Sequence, residues 1–147
     1  MNNTYFESEE GLAKLLTDKQ DIFALIDDIS QQLLQGVVTT SEQYREILNQ
    51  MTGAYGVLEP LYSQAEANKL NKELKSYVEH KRELEGKGEK IVAASLDKEA
   101  SLSVDNERRV RNICEGYVLA TEKIIITCQT QLRRIETDSK FKPQDNI

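Results

Sequence analysis

The chain has no tryptophan and only two prolines among its 147 residues. With 39% hydrophobic and 30% charged residues, its composition is typical of a soluble, charge-rich helical protein. It also lacks a long apolar run, because the longest strictly aliphatic stretch is Ile124 to Ile126, and this excludes a transmembrane span. Residues 1–20 have neither a basic start nor an apolar stretch, so we expect no secretory signal and a cytoplasmic location.

Histidine is scarce too, since His80 is the only one. A di-iron site in a helical bundle needs Glu-x-x-His pairs on facing helices, and His80 is preceded three residues earlier by Tyr77 instead. No Cys-x-x-Cys pattern occurs, and Gly86-Lys87-Gly88 lacks the remainder of a phosphate-binding loop. We therefore predict no metal, no cofactor and no small-molecule substrate.

The two cysteines, Cys114 and Cys128, lie on one predicted helix. Their sequence separation corresponds to roughly 21 Å along a helix, which exceeds the ~7 Å limit between the Cα atoms of a disulfide. A disulfide between subunits would need an oxidising compartment, so we expect both side chains to be small buried hydrophobic groups. Since His80 belongs to a charged run instead, a Cys–His catalytic pair is disfavoured and we predict no enzyme.

Charge is distributed unevenly along the chain, whose formal net charge is −6. Residues 1–60 contain 3 basic and 10 acidic side chains, whereas residues 61–147 contain 16 basic and 15 acidic ones. The acidic first part argues against uniform coating of nucleic acid, and the nearly neutral second part permits a local basic patch.

The end of the sequence predicts one uninterrupted helix from Leu96 to Glu136. Leu119 and Ile126 lie almost opposite its main apolar stripe, so we assign them to an interface between subunits and predict a homo-oligomer. The stripe repeats at steps of three and four residues and consists of Val110, Ile113, Cys114, Tyr117, Thr121, Ile124, Ile125, Cys128, Leu132 and Ile135.

Earlier helices are marked by their ends. Ser8 to Glu10 predicts a helix start, and the capping-box patterns Thr17–Gln20 and Thr40–Gln43 predict two more. Gly36 predicts the end of the helix that follows the first box. We expect the helix after the second box to kink or break between Gly53 and Pro60, because proline cannot donate to the helical ladder.

The segment from Leu61 to Gly86 has the pattern of a coiled-coil seam, and Gly86-Lys87-Gly88 predicts a hairpin tip. The predicted fold is therefore all-α: an elongated antiparallel hairpin of residues 61–86 and 96–136 with shorter N-terminal helices. We expect one domain over residues 1–136 and a flexible tail over residues 137–147. The seam residues are Ala67, Leu70, Leu74, Tyr77, Lys81 and Leu84.

Basic residues gather around the predicted tip. Cations beside an aromatic such as Tyr77 are the elements of a surface that binds single-stranded nucleic acid. The alternative is a solvated helix face, because glutamates alternate with these cations. The candidate nucleic-acid-binding residues are Lys75, His80, Lys81, Arg82, Lys87 and Lys90.

The order of features over residues 43–136 resembles the UvsY-type recombination mediators of tailed phages. The resemblance rests on Gln43-Tyr44, on the stretch from His80-Lys81-Arg82 to Gly86-Lys87-Gly88, on Val104-Asp105-Asn106, and on Cys114-Glu115-Gly116. It implies a small, oligomeric, non-enzymatic protein in the host cytoplasm. Such a protein binds single-stranded DNA and loads a recombinase onto strands covered by single-strand binding protein, with the basic stretch before the turn on the DNA.

The alternative function is that of a helical assembly or interaction protein without nucleic-acid binding. This class includes a phage structural component, a chaperone, and a small acidic inhibitor or immunity protein. In that case the acidic first part of the chain would make the contact, and the alternating charges near the tip would serve solvation.

Overall fold

The computed structural model describes Tyr5 and residues 8–141. In this part of the chain the regular structure is helical, without strands, so the predicted all-α class is confirmed. None of the described helices is long and apolar enough to cross a membrane. The helices are α1 (Glu9–Asp18), α2 (Gln20–Gln35), α3 (Ser41–Gly86), α4 (Ala93–Ser103) and α5 (Asp105–Lys140).

The chain divides into two compact units. Unit 1 contains Met1–Asp18 and Glu59–Glu115, and unit 2 contains Lys19–Leu58 and Gly116–Ile147. Helices α3 and α5 each contribute one segment to each unit. The single domain expected over residues 1–136 stays a prediction. Of the predicted tail, residues 137–140 form the last turn of α5, and residues 142–147 lie outside the described residues.

Unit 1 is built from α1, the second part of α3, α4 and the start of α5. Its apolar residues recur four apart on α3, α4 and α5, so each of these helices turns one face inward. Asn106 of α5 donates to the Glu9 carboxylate at 2.6 Å and links α5 to α1. The buried apolar residues of this unit include Leu12, Leu15, Leu61, Ala65, Leu96, Ala100, Val104, Val110 and Cys114.

Unit 2 is built from α2, the first part of α3 and the remainder of α5. The rings of Phe23 and Tyr117 stack with centroids 4.3 Å apart, and the Tyr117 hydroxyl donates to Asp27 at 3.0 Å. The predicted stripe of the last helix is confirmed, because every residue assigned to it is buried or half-buried. The buried residues of this unit include Ile26, Ile29, Ile47, Met51, Ala54, Leu58, Val118, Thr121, Ile124 and Cys128.

Three of the predicted helix ends are confirmed. The Ser8 hydroxyl accepts from the Gly11 N–H at 3.1 Å at the start of α1. Gly36 ends α2 with a φ of 70°, a left-handed conformation that glycine adopts without strain. Before α3, the Gln43 N–H donates to the Thr40 hydroxyl at 3.2 Å and the Thr40 N–H donates to the Gln43 amide oxygen at 3.0 Å, which completes the capping box.

The capping box predicted at Thr17 is wrong. Thr17 lies inside α1, where its hydroxyl donates to the Ala13 carbonyl at 3.1 Å. Only Lys19 separates α1 from α2, and α2 begins without a side-chain cap. The Thr17 hydroxyl is thus used within the last turn of α1 and is not available to cap the next helix.

Of the kink or break predicted between Gly53 and Pro60, the break is wrong, since α3 continues through Pro60, and the kink stays a prediction. An interior proline costs about 3 kcal/mol or more because it removes one hydrogen bond and crowds the preceding turn. Burial on both sides of the proline offsets this cost. The buried residues repeat at steps of three and four across it: Met51, Ala54, Leu58, Leu61 and Ala65.

The uninterrupted helix predicted from Leu96 to Glu136 is wrong in one place. The chain leaves helical geometry at Val104, whose side chain is fully buried, and α5 begins at Asp105. Arg108 donates to the Ser101 carbonyl at 2.8 Å and to its hydroxyl at 2.6 Å. Arg108 therefore satisfies an acceptor in the last turn of α4 that would otherwise need water.

We expect Thr40→Ala to lower the free energy of unfolding by about 1 kcal/mol, because the first turn of α3 loses its side-chain cap. Urea denaturation followed by circular dichroism measures this change. Thr39→Ala is the matched control, since only the backbone N–H of Thr39 takes part in the box. Equal stability of the Thr40 and Thr39 variants would contradict the assignment.

Candidate nucleic-acid interface and adjoining surfaces

Four of the six predicted nucleic-acid-binding residues lie at the end of α3 and in the segment that follows. Within the described residues Lys81, Arg82, Lys87 and Lys90 are exposed and make no ion pair; we call these four residues the tip cluster. Gly88 has a φ of 67°, and the Glu89 N–H donates to the Leu84 carbonyl at 3.0 Å. This reversal at the helix end keeps residues 87–90 close to the last turn of α3.

The other two predicted site residues already have partners. Lys75 lies 4.0 Å from Glu79 on the same helix. His80 Nε2 lies 3.6 Å from the Glu99 carboxylate, and its Nδ1 lies 3.0 Å from the Ser76 carbonyl. These contacts give Lys75 and His80 a neighbouring carboxylate, which the tip cluster lacks within the described residues.

Acidic side chains are interleaved with the tip cluster. Residues 79–90 contain four lysine or arginine residues and four glutamates. All four glutamates, at positions 79, 83, 85 and 89, are exposed. The local formal charge is therefore close to zero, so this segment carries no broad positive field.

A charged network joins α3 and α5 in unit 1. Arg111 Nε donates to Glu66, and its Nη1 donates to Glu115 at 2.6 Å. The Arg111 Nη2 also donates to the Tyr62 hydroxyl at 3.1 Å, and the hydrogen bond that Arg111 donates to Glu66 raises the pKa of Arg111. An arginine with three such partners positions α5 against α3 and is not free to bind an anion.

The cross-helix pairs of unit 1 occur in opposite order on the two chain segments. Tyr62 and Glu66 on α3 meet the Glu115–Arg111 turn of α5, and Lys72 then pairs with Glu107. Glu107 is only 6% exposed, so its carboxylate depends on Lys72 for compensation. These partners orient the two segments antiparallel within the unit. The longer hairpin of residues 61–86 and 96–136 stays a prediction.

None of the six residues of the predicted coiled-coil seam is buried: Tyr77 and Leu84 are half-buried, and Ala67, Leu70, Leu74 and Lys81 are exposed. Leu70 and Leu74 are 51% and 64% exposed. Together with Tyr77 and with Ala100 of α4 they form the apolar part of a groove of about 590 Å³, which we call the α3–α4 groove. Its polar lining consists of Glu73, Asp97 and Ser101. The sequence analysis did not single out the α4 residues, although the four-residue step from Leu96 to Ala100 marks the inward face of α4.

The residues predicted to contact another subunit are also exposed. In unit 2, Leu119 and Ile126 of α5 are 50% and 55% exposed. Lys123 and Arg133, at helical spacing from them, are exposed as well. We call the face formed by these four residues the α5 ridge. Its role as an interface between subunits stays a prediction.

Both cysteine thiols lie in the apolar interior. Burial raises the pKa of Cys114 to about 11, and it also raises the pKa of Cys128. A thiol in such an apolar environment stays protonated at neutral pH and is a poor nucleophile. No group of three or more histidine, cysteine, aspartate or glutamate side chains within the described residues is arranged to hold a metal ion.

Comparison of the chain with protein-family models, with curated proteins and with solved structures finds no match.

We expect both thiols of the native protein to react very slowly with a disulfide reagent at pH 8, because both are buried. For Cys114 only about one group in a thousand is thiolate at that pH, given its pKa of about 11. The absorbance released by Ellman's reagent measures the rate, and the same protein in denaturing urea provides the control with full reactivity. Rapid release of one thiol equivalent from the native protein would contradict this account.

Proposed function

We propose that this protein acts by binding macromolecules rather than by catalysis, and that it is a recombination mediator on single-stranded DNA. The observation that supports this role is the tip cluster, four exposed cations within residues 81–90 that have no ion-pair partner in the described residues. Lysine and arginine side chains without partners are free to neutralise phosphates and release the counterions of a nucleic acid.

The proposed mechanism is contact with the backbone of the strand. The tip cluster bonds to phosphates, while the adjacent glutamates prevent strong binding by a single subunit. Tyr77 is half-buried in the α3–α4 groove, so base stacking on it contributes less than the charges do. A homo-oligomer would place several weak basic sites along one strand and gain affinity by avidity. A recombinase or single-strand binding protein would be the protein partner.

The second candidate is a helical assembly or interaction protein that binds no nucleic acid. The exposed Leu70 and Leu74 support it, because two neighbouring leucines at the surface of a helix are typical of a contact with another helix. Under this alternative the charges at residues 79–90 serve solvation, in agreement with their near-zero sum.

Fluorescence anisotropy of a labelled single strand distinguishes the two candidates. If the tip cluster supplies four phosphate contacts, affinity should fall about 50-fold between 50 and 200 mM salt. We expect Lys81→Glu combined with Arg82→Glu to weaken binding at low salt by at least about tenfold, because two contacts are lost and two negative charges are added.

The matched control is Lys14→Glu combined with Lys98→Glu, which changes the net charge equally at two exposed positions outside the tip cluster. Retention of affinity in this control would tie the effect to the tip cluster. An equal loss in both double variants would show a general charge effect and contradict the site. Absence of binding by the wild-type protein at low salt would contradict the mediator function and favour the second candidate.

A further inference from the structure

The α3–α4 groove has the properties of a site for a helix. Leu70, Leu74 and Tyr77 are spaced four and three residues apart, the arrangement that receives apolar side chains of a partner helix. The groove lining includes Glu73 and Asp97 and no cation. Glu73 is 3.6 Å from Lys69, whereas Asp97 is exposed and has no ion-pair partner within the described residues. The occupant that fits is therefore a helix with an apolar row and flanking positive charges.

The α5 ridge is such a helix face, and it is part of this chain. Leu119, Ile126 and Arg133 follow one another at seven-residue steps, and Lys123 lies between the two apolar residues on the same face. All four side chains are exposed, so the packing of unit 2 leaves the ridge accessible. Glu122 lies at the edge of the ridge and is half-buried, which leaves the cations as its exposed charges.

Charge decides which surfaces can meet between two copies. A contact of groove with groove would bring the carboxylates of Glu73 and Asp97 towards their own equivalents, and a contact of ridge with ridge would do the same for Lys123 and Arg133. Like charges brought together at an interface oppose association, whereas a contact of ridge with groove pairs opposite charges.

We propose that this chain self-associates by a head-to-tail contact in which the α5 ridge of one copy occupies the α3–α4 groove of a second copy. Leu119 and Ile126 contact Leu70, Leu74 and Tyr77, and Lys123 and Arg133 pair with Glu73 and Asp97. Such a contact is heterologous, because each copy offers two different surfaces and engages two neighbours. It does not require single-stranded DNA and stands independently of the mediator function.

Light scattering coupled to size exclusion tests the proposal on the full-length protein. We expect the wild-type mass to exceed the single-chain value of 16.8 kDa and to rise with concentration. A groove variant, Glu73→Lys with Asp97→Lys, and a ridge variant, Lys123→Glu with Arg133→Glu, should each elute with the mass of one chain. All four positions are at least partly exposed, so circular dichroism should show unchanged helix content.

Mixing the two variants gives the decisive result. The groove variant keeps an intact ridge and the ridge variant keeps an intact groove, and the substituted groove and substituted ridge are also opposite in charge. An equimolar mixture should therefore associate and show a mass above that of one chain. The protein that combines all four substitutions should regain self-association, because its charges are exchanged rather than lost. Lys14→Glu with Arg45→Glu, at exposed positions outside both surfaces, should behave as the wild type.

Three results would overturn the proposal. The first is a wild-type protein that keeps the mass of one chain at every concentration. The second is a groove or ridge variant that associates as strongly as the wild type, which would place the contact elsewhere. The third is a mixture of the two variants whose mass stays at that of one chain, which would show that the two surfaces do not bind each other.

Discussion

The apolar stripe of α5 is the constraint on which the rest of the structure depends. Val110 and Cys114 of this stripe enter the core of unit 1, and Thr121, Ile124 and Cys128 enter the core of unit 2. Burial of a large apolar side chain contributes about 1.5–3 kcal/mol, so each unit is organised by its segment of this helix. The buried Thr121 hydroxyl is satisfied by donation to the Tyr117 carbonyl at 2.7 Å, so it fits the stripe without an unpaired polar group.

Polar contacts add direction to this packing. Burial alone is non-directional, but Arg111 with Glu66 and Lys72 with Glu107 hold α3 and the start of α5 in one register within unit 1. Removing one partner of a buried pair is costly because the other charge is left uncompensated. The basic residues of this network, Lys72 and Arg111, are thereby paired with carboxylates, whereas those of the tip cluster have no such pair within the described residues.

The proposed functions use side chains that are not buried in the two cores. The tip cluster retains four cations without ion pairs in the described residues, yet its surroundings are nearly neutral, so a single copy offers weak attraction to phosphate. In the proposed head-to-tail contact, the α5 ridge and the α3–α4 groove would bring many copies together. Weak strand contact and self-association are complementary in this respect, because avidity multiplies sites that are individually modest.

The sequence by itself determined the helical class, the buried stripe of α5, the end of α2 at Gly36 and the capping box at Thr40. These features depend on neighbours within one or two helical turns, which periodicity and end residues report directly. Only the tertiary structure decided that α3 passes through Pro60, that the chain leaves the helix at Val104 and that Leu70 and Leu74 stay exposed. At Pro60 and at Val104, burial of neighbouring apolar side chains in the cores outweighs the local preference of a proline and of an uninterrupted helical pattern. Leu70 and Leu74 stay exposed because no described part of the chain covers them, which their spacing in the sequence cannot show.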